Sequence, residues 1–242
     1  MNTTGRPTTP RRGIVDLWGA RMTRGVKWSE NGNPVNPYIS GHEPHSIMAW
    51  DRALTLHRQM RNKGDADYRI AAHIHFYIDD RKFDGPRSGI WAKPERLVEV
   101  ARHFDGVMGI DFSTYADFPE PIKRWQIYRM RTLERFVASN GVEVIQNFRW
   151  GGPETWDYFL DVLHRNAPLS LGTVASGLRY LENRPAFARG LLHGVRSLEP
   201  SVIYVVGSSN YPVFDEVRAL GTRVVTFDGP TAAAHKAGGA NV

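Results

Sequence analysis

From Tyr68 onward the chain repeats one unit: a short run rich in β-branched and apolar residues, a polar turn, then an amphipathic segment of helical length. The runs are Ile70 to Ile78, Val107 to Phe112, Val142 to Phe148, Leu169 to Val174, Val202 to Val206 and Arg223 to Phe227. Helices are expected between them, opening near Pro94, Pro121, Pro153, Pro185 and Pro212, where a proline's missing N–H costs no hydrogen bond. Gly141 and Gly221 suit helix C-termini. Strands joined in this way run parallel with right-handed crossovers. The fold class is therefore α/β with a mainly parallel sheet, either an irregular TIM-like barrel or a doubly wound open sheet.

Upstream the pattern is weaker. A short apolar run spans Ile14 to Leu17, a loop rich in Pro, Asn and Gly runs from Asn31 to Pro44, and a helix is expected from His45 to Asn62, ended by Gly64. Residues 1–13 and 230–242 lack any amphipathic period and read as disordered tails, leaving 14–229 as a single α/β domain. The 242 residues, 41% of them hydrophobic, suffice for one such core.

Cysteine is absent, which removes disulfides, thiolate zinc sites and a cysteine nucleophile. The first residues lack the apolar stretch of a signal peptide, and no later run is long enough to span a bilayer, so a cytoplasmic protein without membrane contact is expected. The net charge of +6 favours polyanionic partners, namely nucleic acid or a phosphorylated ligand. No Gly-x-Ser-x-Gly elbow, kinase motif set or recognisable helix-turn-helix occurs.

In parallel α/β folds the carboxyl ends of the strands open onto one face and build the site. Here those ends carry Asp79 and Asp80, Asp111 and Ser113, Asn147, Arg149 and Trp150, Ser208 and Ser209, and Asp228. Asp79, Asp80 and Asp111 are candidates for an oxygen-rich Mg²⁺ or Mn²⁺ site or for acid–base catalysis, with Arg149 holding an anionic substrate. The same aspartates also suit helix caps and Asx turns. Period-2 alternation places His73, His75, Tyr77 and Asp79 on one face of their strand. The two histidines could ligate a metal, but His103, His164 and His193 fall on or near helices, so hydrogen bonding inside the sheet or barrel is the expectation. His73, His75, Tyr77, Ser113, Trp150 and Asp228 are expected to line the pocket.

Ser208 and Ser209 precede the helix at Pro212 and could present hydroxyls and N–H groups to a phosphate, or form a plain turn and cap. On the helix after Pro121, Trp125, Met130, Leu133 and Val137 belong to an apolar arc, whereas Arg124, Tyr128, Arg131 and Arg135 form an opposite stripe. Arg124, Arg131 and Arg135 are thus candidates for nucleic-acid or phosphate contact, with Arg11, Arg12, Arg21 and Arg24 extending the basic surface.

The string His75-Phe76-Tyr77-Ile78-Asp79-Asp80, followed by Phe83, Ile90-Trp91, Pro94, Phe104-Asp105-Gly106-Val107 and Asp111-Phe112-Ser113, resembles the bacterial domain-of-unknown-function family 4417. Tyr115, Asp117, Tyr128, Arg131, Gly141-Val142, Trp150, Gly172, Gly190 and Gly207 continue the likeness, which covers Arg69 to Gly207. It implies a phage, plasmid or integrative-element context and no particular reaction. The stretch Asp84 to Gly89 departs from the pattern. Three functional classes follow: a mobile-element protein binding nucleic acid or a phosphate ligand through basic surface, a metal-dependent hydrolase of a phosphorylated or nucleotide substrate, or a protein-interaction module.

Overall fold

A computed structural model describes residues 12–38, 40–174 and 176–229. Seven parallel strands form one sheet in the order of the sequence: β1 (Ile47–Ala49), β2 (Ile70–His75), β3 (Phe104–Met108), β4 (Val144–Asn147), β5 (Leu169–Gly172), β6 (Val202–Val206) and β7 (Arg223–Phe227). The connecting helices are α1 (Trp50–Asn62), α2 (Pro94–Ala101), α3 (Glu120–Ser139), α4 (Trp156–Leu160), α5 (Arg184–Leu198) and α6 (Pro212–Ala219). A doubly wound sheet reverses its strand order part-way along. This one never does, and it curls into a half-barrel, the barrel-like alternative left open between β1 and β7.

The alternation of side chains along each strand separates two layers. Outward residues such as Ile74, Val107 and Val144 pack with α1 to α3, while Leu169, Leu171, Ile203 and Val205 pack with the elements that follow β4. Inward residues Tyr77, Met108, Ile145, Val202, Tyr204 and Val206 form a separate inner cluster, against which Ile47 of β1 and Val225 and Phe227 of β7 also pack. Residues from both edges of the sheet thus meet one inner core. At the lower rim Arg223 donates to both carboxylate oxygens of Glu43, at 3.0 and 2.8 Å, tying the start of β7 to the segment before β1.

Six strands lie where the apolar runs place them, and β6 and β7 coincide with those runs. The β2 run ends as a ladder at His75, after which the chain peels off into the site. Helix α1 starts at Trp50 rather than His45, because Ile47–Ala49 pairs with His73–His75 as a further strand. A 3-10 turn over Pro153–Thr155 precedes the short α4. The two tails assigned to 1–13 and 230–242 lie outside the described residues, except Arg12 and Gly13. No helix among the described residues is long and apolar enough to cross a membrane.

Candidate functional site at the strand ends

Beyond the carboxyl ends of β2 to β5 lies a cleft of about 580 Å³, walled by Tyr77, Asp80, Asp111, Ser113, Gln126 and Arg149 and rimmed by Asp79, Arg81 and Lys82. Tyr115 and Arg149 also line a second cavity of about 380 Å³, which continues past Trp150, Gly151 and Gly152 to α5.

The floor is set by Tyr77, fully enclosed on the inner face. Its hydroxyl lies 3.0 Å from both Asn147 Oδ1 and Ser170 Oγ. A Cβ on Gly109 or on Gly172 would overlap the Tyr77 ring, so these two glycines make the space the phenol occupies. Burial raises the Tyr77 hydroxyl well above the usual tyrosine range, and it stays neutral. With Oδ1 facing Tyr77, the Asn147 amide donates to Ile110 O at 3.0 Å and to Asp111 Oδ1 at 2.8 Å. One strand-end asparagine therefore fixes the orientation of Asp111.

Asp111 sits 3.7 Å from Arg149 Nε, both side chains largely enclosed. Burial raises the Asp111 carboxyl above the ordinary aspartate range, and the Arg149 guanidinium offsets only part of that. Arg149 Nε donates to Thr114 Oγ1 at 3.0 Å, and Thr114 donates onward to Trp150 O. The Nη groups of Arg149 make no hydrogen bond among the described residues, and the side chain lines both cavities. Asp80 accepts from Ser113 N at 3.0 Å and Ser113 Oγ at 3.1 Å, which ties the β2 and β3 loops together, and burial raises its carboxyl as well.

Asp79 does something different. It caps the 3-10 turn Asp80–Lys82, accepting from Arg81 N, and pairs with the Arg81 guanidinium at 2.7 Å on the exposed rim. That pairing lowers its carboxyl to about 2. Among the described residues no three His, Asp or Glu side chains converge in a way that could hold a metal ion. Asp79, Asp80 and Asp111, expected to share a Mg²⁺ or Mn²⁺ ion, therefore do not converge as one three-carboxylate cluster; their carboxylates face Arg81, Ser113 and Asn147.

His73 and His75 lie lower on the inner face, buried, and line neither cavity. The expected hydrogen bonds are missing: both ring nitrogens of His73 and Nδ1 of His75 lack a partner among the described residues. Burial lowers both imidazoles, His75 to about 4, which keeps them neutral. Ser208 and Ser209 follow β6 in a turn: Ser208 O accepts from Thr173 Oγ1, Ser208 Oγ accepts from Asn210 N, and Ser209 Oγ lies 2.6 Å from Thr226 Oγ1. Asp228 is exposed after β7.

The basic stripe on α3 is not a solvent-facing surface. Arg131 is 1% exposed, donates to Glu134 Oε2 at 2.8 Å and to Asn147 O at 2.9 Å, and belongs to the core. Arg124 is paired with Glu120 and donates to Glu154 O. Arg135 is half-buried with its guanidinium over the Tyr38 ring. The segment from Arg12 to Tyr38 lies across part of α3, where Tyr38 meets Arg135 and the Tyr128 hydroxyl donates to Trp18 O. Of the residues expected at the strand ends, Tyr77, Asp80, Asp111, Ser113 and Arg149 line the polar cleft and Trp150 the adjoining cavity. Thr114, Phe187 and Arg189 also line that cavity, carried there by the neighbouring loops and α5, and no periodic signal marks them.

A family model described as Domain of unknown function (DUF4417) matches residues 29–228. The chain belongs to the DUF4417 family. The Gene 1 protein of Mycobacterium phage D29 is 27% identical to it over 201 residues, 82% of this chain and 68% of that protein. The Gene 1 protein of Mycobacterium phage L5 is 25% identical over 165 residues, 68% of this chain and 66% of that protein. This DUF4417 chain thus spans about two thirds of the length of those relatives, and both place the family in phages. No solved structure matches it.

Proposed function

We propose that this DUF4417 protein binds a small phosphate-bearing ligand at the mouth of the half-barrel, with Arg149 as the anion anchor and Asp111 exchanging a proton with the ligand. The observation that carries this reading is the Arg149 guanidinium: largely enclosed, held by Thr114 through Nε, with its Nη donors unpaired among the described residues, and lining a cleft beside a buried carboxyl of raised affinity for protons.

The chemistry follows from competition for one cation. While Asp111 is ionised it neutralises Arg149 and repels an incoming anion; once protonated it leaves the guanidinium free. An anion seated on Arg149 in turn removes part of the attraction that lowers the Asp111 carboxyl, which keeps the acid protonated beside the ligand and able to donate to a leaving or bridging oxygen.

Inorganic sulfate, whose charge is constant across the carboxylate and histidine range, tests the linkage by calorimetric titration at several pH values. Sulfate affinity is expected to fall as pH rises through the Asp111 titration, to become flat in Asp111→Asn, and to drop by about tenfold or more in Arg149→Ala. Equal affinity in wild type and Arg149→Ala would remove the reading.

A further inference from the structure

The cavity of about 380 Å³ beside Arg149 is built differently from the polar cleft, although the two share that arginine. Its walls are rings and glycines: Trp150 and Phe187, with centroids 5.3 Å apart, then Trp156, Leu171 and the Gly151-Gly152-Pro153 backbone. The indole of Trp150 is fixed in place. A Cβ on Gly190 of α5 would overlap its Nε1 edge, and Phe148 and Phe159 support it with centroids 5.5 and 5.9 Å away. The pyrrole N–H of Trp156 is buried without an acceptor among the described residues, a donor with nothing to bind. Arg189 adds a second cation at the α5 side, exposed and in no ion pair or hydrogen bond among the described residues.

We infer that this cavity is a subsite for a planar heteroaromatic ring, and that the ligand anchored on Arg149 is a nucleotide: its phosphate on Arg149 and its base against Trp150 and Phe187. The inference rests on the anion-site reading and adds the ring to it. Rigid aromatic faces accept any base through stacking, whereas the exposed Asn183 amide at the cavity wall supplies a polar contact that a base edge demands and a benzene ring does not. The volume suits one ring and its sugar rather than a helix or a peptide. A chain of linked nucleotides would place its next phosphate toward Arg189.

Titration of the full chain with adenosine monophosphate and with ribose phosphate, read by intrinsic tryptophan fluorescence and by calorimetry, separates the two readings. The nucleotide is expected to bind about tenfold more tightly than ribose phosphate, the contribution of one base–aromatic stack. Trp150→Leu should abolish that ratio. Ala186→Gln, at an exposed position lining the cavity, should do the same without disturbing the core. Equal affinity for the two compounds in wild type, or a preference that survives both substitutions, overturns the ring subsite and leaves the anion site standing. Absence of binding by either compound overturns both.

Discussion

His75 is buried on the inner face with its imidazole lowered to about 4, against about 6.5 for an ordinary histidine, because desolvation penalises the charged form. In the unfolded chain it takes up a proton as pH falls below its ordinary value, while the folded protein refuses that proton until about pH 4. The stability it contributes is therefore present above the unfolded value and lost as pH falls through the folded one, about 3 kcal/mol across the window. Chemical denaturation of wild type and His75→Leu between those limits checks the sign: the acid slope is expected to flatten in the variant. The buried pair of Arg131 and Glu134 behaves in another way. Both side chains are wholly enclosed, and Glu134 also accepts from Asn147 N at 2.7 Å, so it holds the strand end that orients Asp111. Arg131→Met leaves that carboxylate without its cation and is expected to cost about 3–5 kcal/mol, whereas Arg131→Met with Glu134→Leu costs less, which equilibrium denaturation resolves. Residue types at strand ends made Asp111 and Arg149 readable from the sequence, since position alone puts such ends at the mouth. The role of Arg131 was not readable, because a charged residue in a helix gives no sign that its partner lies one turn away inside the core.

Strands β2 and β5 meet across the inner face through Tyr77 and Gly172, and the geometry is tight enough to set the strand-end register. A side chain at Gly172 has no room while the phenol is present. Gly172→Ala is expected to destabilise by about 1–3 kcal/mol as the ring is displaced, and most of that loss should disappear when Tyr77→Ala is made in the same chain. Denaturation midpoints of the single and double variants decide it; additive losses would mean that the two residues do not compete for the same space. At this scale the helices and six of the strands were legible, because apolar runs of four or more residues alternate with proline-opened amphipathic segments. Strand β1 was not. Three residues, Ile47-Met48-Ala49, run without a break into Trp50 and share the periodicity of α1, and only pairing with β2 makes them a strand. The apolar face of α3 was also legible, but the opposite stripe of Arg124, Tyr128, Arg131 and Arg135 was read as a surface for phosphate contact, although Tyr128 and Arg131 are buried. Within the apolar arc Arg129 is buried as well: it donates to both oxygens of Asp84, at 2.7 and 2.8 Å, and lies 3.8 Å over the Phe112 ring.

In the whole molecule, the segment that covers α3 acts as a strap anchored at separate points. Asp161, just past α4, accepts from Ser29 Oγ, from Asn31 Nδ2 at 3.2 Å and from Asn33 Nδ2 at 3.2 Å, and Asn33 Nδ2 also donates to Tyr158 O. Further along, Glu143 Oε1, before β4, accepts from Ser40 Oγ at 2.7 Å and Gly41 N at 2.6 Å, which steers the chain into β1. Among the described residues no strap residue joins the sheet, and the strap is held by these side-chain anchors together with the Trp28–Tyr128 ring contact, the Tyr128 bond to Trp18 O and the His164 contact with Asn36 O. Asp161→Ala removes three accepted hydrogen bonds at once and leaves the buried Asn33 amide with the Tyr158 carbonyl alone. Amide exchange and limited proteolysis are expected to rise between Arg12 and Tyr38 in that variant while β2 to β6 keep their protection, because the inner and outer cores do not pass through Asp161. Equal loss of protection in the strands would show that the strap and the half-barrel unfold as one cooperative unit. Retention of sulfate binding by the loosened variant would separate the mouth of the barrel, formed by the β2, β3 and β4 loops, from the covering of α3 on its other side.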